Sequence, residues 1–167
     1  FWRTPQMELA GKTLGIIGFG KIGRAVARIA GALGMKVLAH SRSESPEGME
    51  LAQYVTLEKL LSEADIISLH CPLFPETEKI INASYIAKMK DGVIFMNYAR
   101  PDLIVVDDVV EALESGKMRK YMTDLLEPEY IGKKGIVATP HLGASTAEAE
   151  ENCAIMATDQ LMDYLEN

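Results

Sequence analysis

The sequence predicts an α/β fold, a doubly wound parallel sheet with helices on both faces. Three observations carry that prediction. Short apolar runs alternate with segments of helical period along nearly the whole chain. The runs are almost continuously apolar, the pattern of parallel strands covered on both faces. A glycine cluster, Gly18 to Gly23, separates the first apolar run from the first helical one. Parallel crossovers are right-handed, so winding on both faces is the natural closure. The 167 residues are read as one domain, residues 1–167, long enough to bury a core without disulfides.

The elements follow in order. Thr13–Ile17 is the first strand. Ile22, Val26, Ile29 and Leu33 share one face of the first helix, which Gly34 ends. Lys36–His40 is the second strand. Leu57, Leu60, Leu61 and Ala64 mark a short helix capped by Thr56. Asp65–His70 is a third strand. A helix spans Asn82–Lys90, with Gly92 as its stop, and Val93–Asn97 is a strand. A helix over Asp107–Ser115 is closed by Gly116. Lys120–Asp124 and Ile136–Thr139 are two short strands. Ser145 with Glu148 reads as a capping box. It opens a long helix whose Ala154, Ala157, Leu161 and Leu165 share a face.

Composition narrows the class. Hydrophobic residues make up 48% and charged ones 25%, ordinary for a globular domain. No apolar run approaches the roughly 18 residues of a membrane span, so no membrane partner is expected. Phe1–Gly11 lacks the basic start and apolar core of a signal peptide. The chain opens on Phe rather than Met and is expected to be cut from something longer. Cys71 and Cys153 give no disulfide framework, and reduced thiols in a cytoplasmic protein are the simpler reading. Net charge is −7, unevenly spread. Residues 1–43 hold seven basic side chains and one acid, whereas 44–167 hold ten basic and 23 acidic ones. The acidic body argues against nucleic acid as a partner. The basic first quarter suits a small anionic ligand, or is a scatter of solvated cations.

Gly18-Phe19-Gly20-Lys21-Ile22-Gly23 is a G-x-G-x-x-G between a strand and an amphipathic helix, the context a dinucleotide fingerprint needs. The fold is therefore of Rossmann type. Gly18 serves the tight turn, Gly20 the approach of backbone to a pyrophosphate, and Gly23 the packing of helix on strand. Lys21 and Ile22 open the helix whose free N–H groups would meet the phosphates. About 20 residues on, the second strand should end in an acid that holds the ribose of NAD. Here Ser41 stands in that place and Arg42 follows. Neither repels a 2′-phosphate and Arg42 can bind one, so NAD and NADP both stand as cofactors; Arg42 is alternatively an exposed loop residue beside NAD.

The segments Glu8–Gly18, Ala64–Leu73, Pro75-Glu76-Thr77, Ile81-Asn82, Met89–Gly92, Ala99-Arg100 and Thr139–Thr146 resemble, in order, the cofactor domain of the D-2-hydroxyacid dehydrogenases. The tail, from His141 to Thr146 and on to Glu151–Ala154, resembles the phosphoglycerate branch of that family. The resemblance implies a hydride transfer between a nicotinamide cofactor and a 2-hydroxy or 2-keto acid. It implies a substrate domain built from chain on both sides of this one, and a homodimer joined through this domain.

Catalysis in that family rests on an arginine, a glutamate and a histidine. His141 matches the histidine, a general acid for the ketone oxygen and a general base in reverse; imidazole suits this with an ordinary pKa of about 6.5. Arg100 matches the arginine that grips the substrate carboxylate. The family's Arg-Gly is here Arg100-Pro101, and Val105 replaces an acid, which puts the local loop in question. For the glutamate, counting from Asp124 selects Glu129, while matching Glu-Pro selects Glu127. Glu129 is preferred, and a solvated loop acid is the alternative for each. The resemblance also places Cys71 and Pro72 on the adenosine side and makes Thr77 a further cofactor-binding residue. It places Tyr98, Ala99, Arg100 and Asp124 near the nicotinamide, and His141, Gly143 and Ala144 across from them. Cys71 is not expected to be a nucleophile, because His70 should point to the other face of its strand. No metal site is expected. An NADP-dependent glyoxylate or hydroxypyruvate reductase is the runner-up, favoured by Ser41-Arg42. A non-catalytic nucleotide-sensing module is the third reading, supported by Pro101 and Val105.

Overall fold

The computed structural model describes residues 7–166. Of Phe1–Gly11, only residues 7–11 are within it, and Phe1 to Gln6 lie outside the described residues. The elements are β1 (Thr13–Ile17), α1 (Lys21–Ala32), β2 (Lys36–His40), α2 (Pro46–Leu51), β3 (Gln53–Tyr54), α3 (Leu57–Glu63) and β4 (Ile66–Leu69). Then come α4 (Ala83–Ala87), β5 (Val93–Asn97), α5 (Val106–Glu114), β6 (Met118–Thr123), β7 (Ile136–Ala138) and α6 (Ala147–Glu166). Seven parallel strands form one sheet in the order β3-β2-β1-β4-β5-β6-β7. The order reverses beside β1, so the crevice at the C-terminal end of β1 is where a ligand would bind.

The strands formed where the apolar runs stood because both faces are buried. Ile16, Ile67, Leu69 and Phe95 are fully or almost fully enclosed. One core joins α3, α4 and α5 to the sheet through Leu60, Leu61, Ile86, Met89 and Val109. Gly15 lets α3 lie close, since a β-carbon there would sit 2.8 Å from Leu60 Cγ and 2.9 Å from the Ala64 β-carbon. A second core gathers Phe19, Ala27 and Ala30 beneath α1.

Two expectations about the elements are corrected. The face of α1 that packs on the sheet is Gly23, Ala27 and Ala30, not Ile22, Ile29 and Leu33, which are 68%, 63% and 51% exposed. Close helix–sheet approach selects small residues, and the larger ones project past the contact. Ile29 and Leu33 instead rim an apolar hollow of about 740 Å³ over β4, β5 and β6, with Leu14, Ile66, Met96 and Val137. The stripe on α6 is exposed, as no residue of that helix is buried. The cap of α6 is Thr146 rather than Ser145: the Ala149 N–H donates to Thr146 Oγ1 at 3.1 Å. Finally, α2 and β3 fill a stretch that carried no prediction. The signal was Ser45-Pro46, a cap followed by proline at the first helical position, and Ser45 Oγ does accept from the Gly48 N–H at 3.1 Å. Thr56 caps α3 as expected, accepting from the Lys59 N–H.

Candidate functional site

The crevice is built first by backbone. Gly18 takes φ +94°, and a β-carbon there would overlap the backbone of His70 and Cys71. Its N–H donates to the His40 carbonyl at 2.9 Å, which ties the turn after β1 to the end of β2. A β-carbon on Gly23 would overlap the Gly18 carbonyl oxygen. Gly20 differs: it precedes α1, caps it with no side chain, and a β-carbon there would meet open space. The first turn of α1 carries no acid. The positive end of a helix therefore opens onto a cradle of exposed backbone, which is what a pyrophosphate requires. The residues present fit a dinucleotide. Lys21 and Ile22, both exposed, stand at this helix entrance.

Ser41 and Arg42 follow β2 at the same sheet end. Cys71, Pro72 and Thr77 lie in the segment after β4. Cys71 is buried against Gly18, and burial raises its thiol pKa, so it stays protonated. His70 is not its base, because its Nε2 lies 2.9 Å from Ser68 Oγ. Thr77 turns its hydroxyl into its own loop: it accepts from the Phe74 N–H and donates to the Pro72 carbonyl, both at 2.8 Å.

The ends of β5 and β6 are locked by two enclosed polar residues. Asn97 accepts from the Ala99 N–H at 3.1 Å and donates to the Arg100 carbonyl at 2.9 Å. Thr123 Oγ1 donates to the Asn97 carbonyl at 2.8 Å and accepts from the Leu125 N–H at 3.0 Å. These bonds place Arg100 on one side and Asp124 on the other. Arg100 is exposed, and its guanidinium bonds only the neighbouring Ala99 carbonyl among the described residues. Pro101 begins a 3-10 turn, Pro101–Leu103, where the first residue needs no N–H donor, so the departure from Arg-Gly costs no hydrogen bond. Val105 precedes α5 without a side-chain cap. Tyr98 shares a hydrogen bond with the Thr139 side chain near Asp124, and burial, followed by the Asp124 charge, raises its phenol pKa.

His141 follows β7, and its Nδ1 lies 3.4 Å from Asp124 Oδ2. The other carboxylate oxygen of Asp124 is buried without a hydrogen-bond partner among the described residues. No bond joins Glu127 or Glu129 to His141 among the described residues. Glu129 is exposed, and Glu127, half-buried, faces the Tyr121 and Tyr130 phenols. The carboxylate brought to the imidazole is thus that of Asp124. Gly143 and Ala144 form an exposed turn beyond His141. Sequence reasoning did not single out Asn97, Thr123 or Phe74. A polar residue closing an otherwise apolar strand was the available signal for the first two. Among the described residues no acidic, histidine or cysteine cluster could hold a metal, and no helix is long and apolar enough to cross a membrane.

Fold and crevice together define a Rossmann-type dinucleotide-binding domain. Residues 2–143 match the D-isomer specific 2-hydroxyacid dehydrogenase NAD-binding domain. The chain belongs to that family and is its NAD-binding domain, as the motifs implied. It is 46% identical to a hydroxypyruvate reductase of Blautia hydrogenotrophica over 173 residues, 99% of this chain and 54% of that protein. It is 40% identical to a D-3-phosphoglycerate dehydrogenase of Synechocystis over 175 residues, 98% of this chain and 32% of that protein. A glyoxylate reductase structure from Paecilomyes thermophila superimposes with a TM-score of 0.91 at 37% identity, covering 98% of this chain and 52% of that one. The chain spans about half the length of the first two relatives it matches.

Proposed function

We propose that this chain, as the single domain 1–167, is the cofactor half of a longer NAD(P)-dependent D-2-hydroxyacid dehydrogenase. The observation that carries the reading is the placement of His141 and Asp124 at the same sheet end as the glycine cradle. When bound, a nicotinamide cofactor supplies or accepts the hydride. The chain's own residues do the rest. Gly20 and the start of α1 hold the pyrophosphate. Ser41 meets the ribose, and Arg42 is the ligand for a 2′-phosphate. Asp124 lies on the nicotinamide side. Arg100 grips the substrate carboxylate with two hydrogen bonds. His141 donates a proton to the ketone oxygen in reduction and takes it back in oxidation, with Asp124 orienting the imidazole through its Nδ1.

The substrate is a short acid. Oxidation of 3-phosphoglycerate, and with it serine biosynthesis, is the first assignment, and its support is the tail resemblance and the phosphoglycerate dehydrogenases among the relatives. NADP-linked reduction of hydroxypyruvate or glyoxylate is the second, favoured by Ser41, Arg42 and the 46% relative. The protein works in the cytoplasm with Cys71 and Cys153 reduced. It is a homodimer through this domain, and the apolar hollow over β4 to β6, open among the described residues, supports that. Assay of the longer protein with hydroxypyruvate, its phosphate and glyoxylate, using NADH and NADPH, tests the reading. Turnover of one is expected. No turnover, with no heat of binding for either cofactor, overturns it.

A further inference from the structure

Arg42 follows β2 and Phe74 follows β4, and these two strands flank β1. The two side chains meet across the end of β1, above the glycine cradle: the Arg42 guanidinium carbon lies 5.1 Å from the centre of the Phe74 ring. That is the separation of a direct cation–π contact, with no room for a purine between the two groups. Arg42 makes no ion pair among the described residues, so the ring is its principal partner. The backbone that carries the ring is held. The Phe74 N–H donates to Thr77 Oγ1 at 2.8 Å, and the Phe74 carbonyl accepts from the Glu78 N–H at 2.9 Å. Phe74 is 40% exposed and fills no core, so packing does not explain its place.

We propose that Phe74 is a positioning residue for cofactor choice: it holds the Arg42 guanidinium at the mouth of the crevice, ready for the 2′-phosphate of NADP. The proposal rests on the reading of Arg42 as the phosphate ligand. A free arginine loses rotamer freedom on gripping a phosphate. One already laid on an aromatic face has lost much of it beforehand, while its N–H edge stays open to an anion. Phe74 therefore acts on NADP and not on NAD, which presents no phosphate to Arg42.

Calorimetric titration with NADP, NAD, adenosine 2′,5′-bisphosphate and 5′-AMP provides the test, using the protein and its Phe74→Leu, Phe74→Tyr and Arg42→Ala variants. Phe74→Leu should weaken NADP and the bisphosphate by about two- to fivefold, the scale of an exposed cation–π contact. It should leave NAD and 5′-AMP unchanged, and Phe74→Tyr should restore the loss. Equal weakening of all four ligands would show a general loop role and overturn the proposal. So would no change at all, or tighter binding once the ring is removed. If Arg42→Ala weakens NADP while Phe74→Leu is silent, the positioning role alone falls. If Arg42→Ala itself leaves NADP unchanged, the reading beneath it falls as well.

Discussion

The Asn97 side chain holds the Arg100 backbone, with Nδ2 donating to the Arg100 carbonyl at 2.9 Å from a fully enclosed position. Arg100 is exposed and its own contacts are local, so the precision of its placement comes from this buried amide and from Thr123 beside it. Asn97→Ala should cost about 1–3 kcal/mol, the scale of leaving buried polar groups unpaired. Urea unfolding measures this. In the longer enzyme the same variant should raise KM for the acid more than it raises the cofactor Kd.

Asp124, not a glutamate, is the carboxylate against His141. His141→Asn should lower kcat by about 100- to 10,000-fold, the usual weight of a positioned acid–base group, and leave cofactor binding nearly intact. Asp124→Asn should cut turnover more than Glu127→Gln or Glu129→Gln does. Steady-state kinetics of the four variants rank them, and a larger loss in Glu129→Gln would return the orienting role to that residue.

The glycines of the cradle separate binding from folding. A side chain on Gly20 meets open space, so Gly20→Val should melt like the parent and bind no dinucleotide. Gly18→Val forces a branched residue to φ +94° and into the Cys71 backbone, so it should lose the fold itself. Thermal melts with and without NAD distinguish the two.

Most of the fold was legible because its strands are buried on both faces and read as unbroken apolar runs, as Asp65–His70 and Val93–Asn97 do. The packing face of α1 was not. Periodicity marks the largest apolar side chains, whereas the contact is made by Gly23, Ala27 and Ala30. The backbone turn of Gly18 and the close packing at Gly23 were readable, since glycines act through the backbone at nearby positions. The partner of His141 was not, because the path of the loop from Asp124 to His141 decides which carboxylate arrives, and spacing from Asp124 gives no hint that the carboxylate is that of Asp124 itself. The Arg42–Phe74 contact joins loops 32 positions apart, which no local pattern reveals.

His70 offers a pH test. Burial lowers its pKa from 6.5, so the folded protein keeps the ring neutral where an unfolded chain would take up a proton. The unfolded state then binds more protons below pH 6.5, and stability falls as pH drops through that value. Urea midpoints at pH 7.5 and 5.5 should show the loss. His70→Gln retains an amide for Ser68 and should flatten that part of the profile.

On the proposed reading, cofactor choice turns on the residue after β2. An acid there would accept hydrogen bonds from a ribose and repel a 2′-phosphate. Ser41 carries no charge to repel a 2′-phosphate, and the adjoining guanidinium has no ion-pair partner among the described residues. A charge-assisted hydrogen bond contributes about 1.5–3 kcal/mol, and exposure to salt trims it, so the parent should favour NADP modestly rather than exclude NAD. Ser41→Asp should reverse that order, gaining ribose contacts for NAD while placing a negative charge beside the phosphate of NADP. The reversal should shrink as salt is raised, because screening weakens the repulsion and leaves the ribose bonds intact. Titrations of both cofactors at two ionic strengths measure it; an unchanged NADP affinity in the aspartate variant would place the 2′-phosphate away from Ser41.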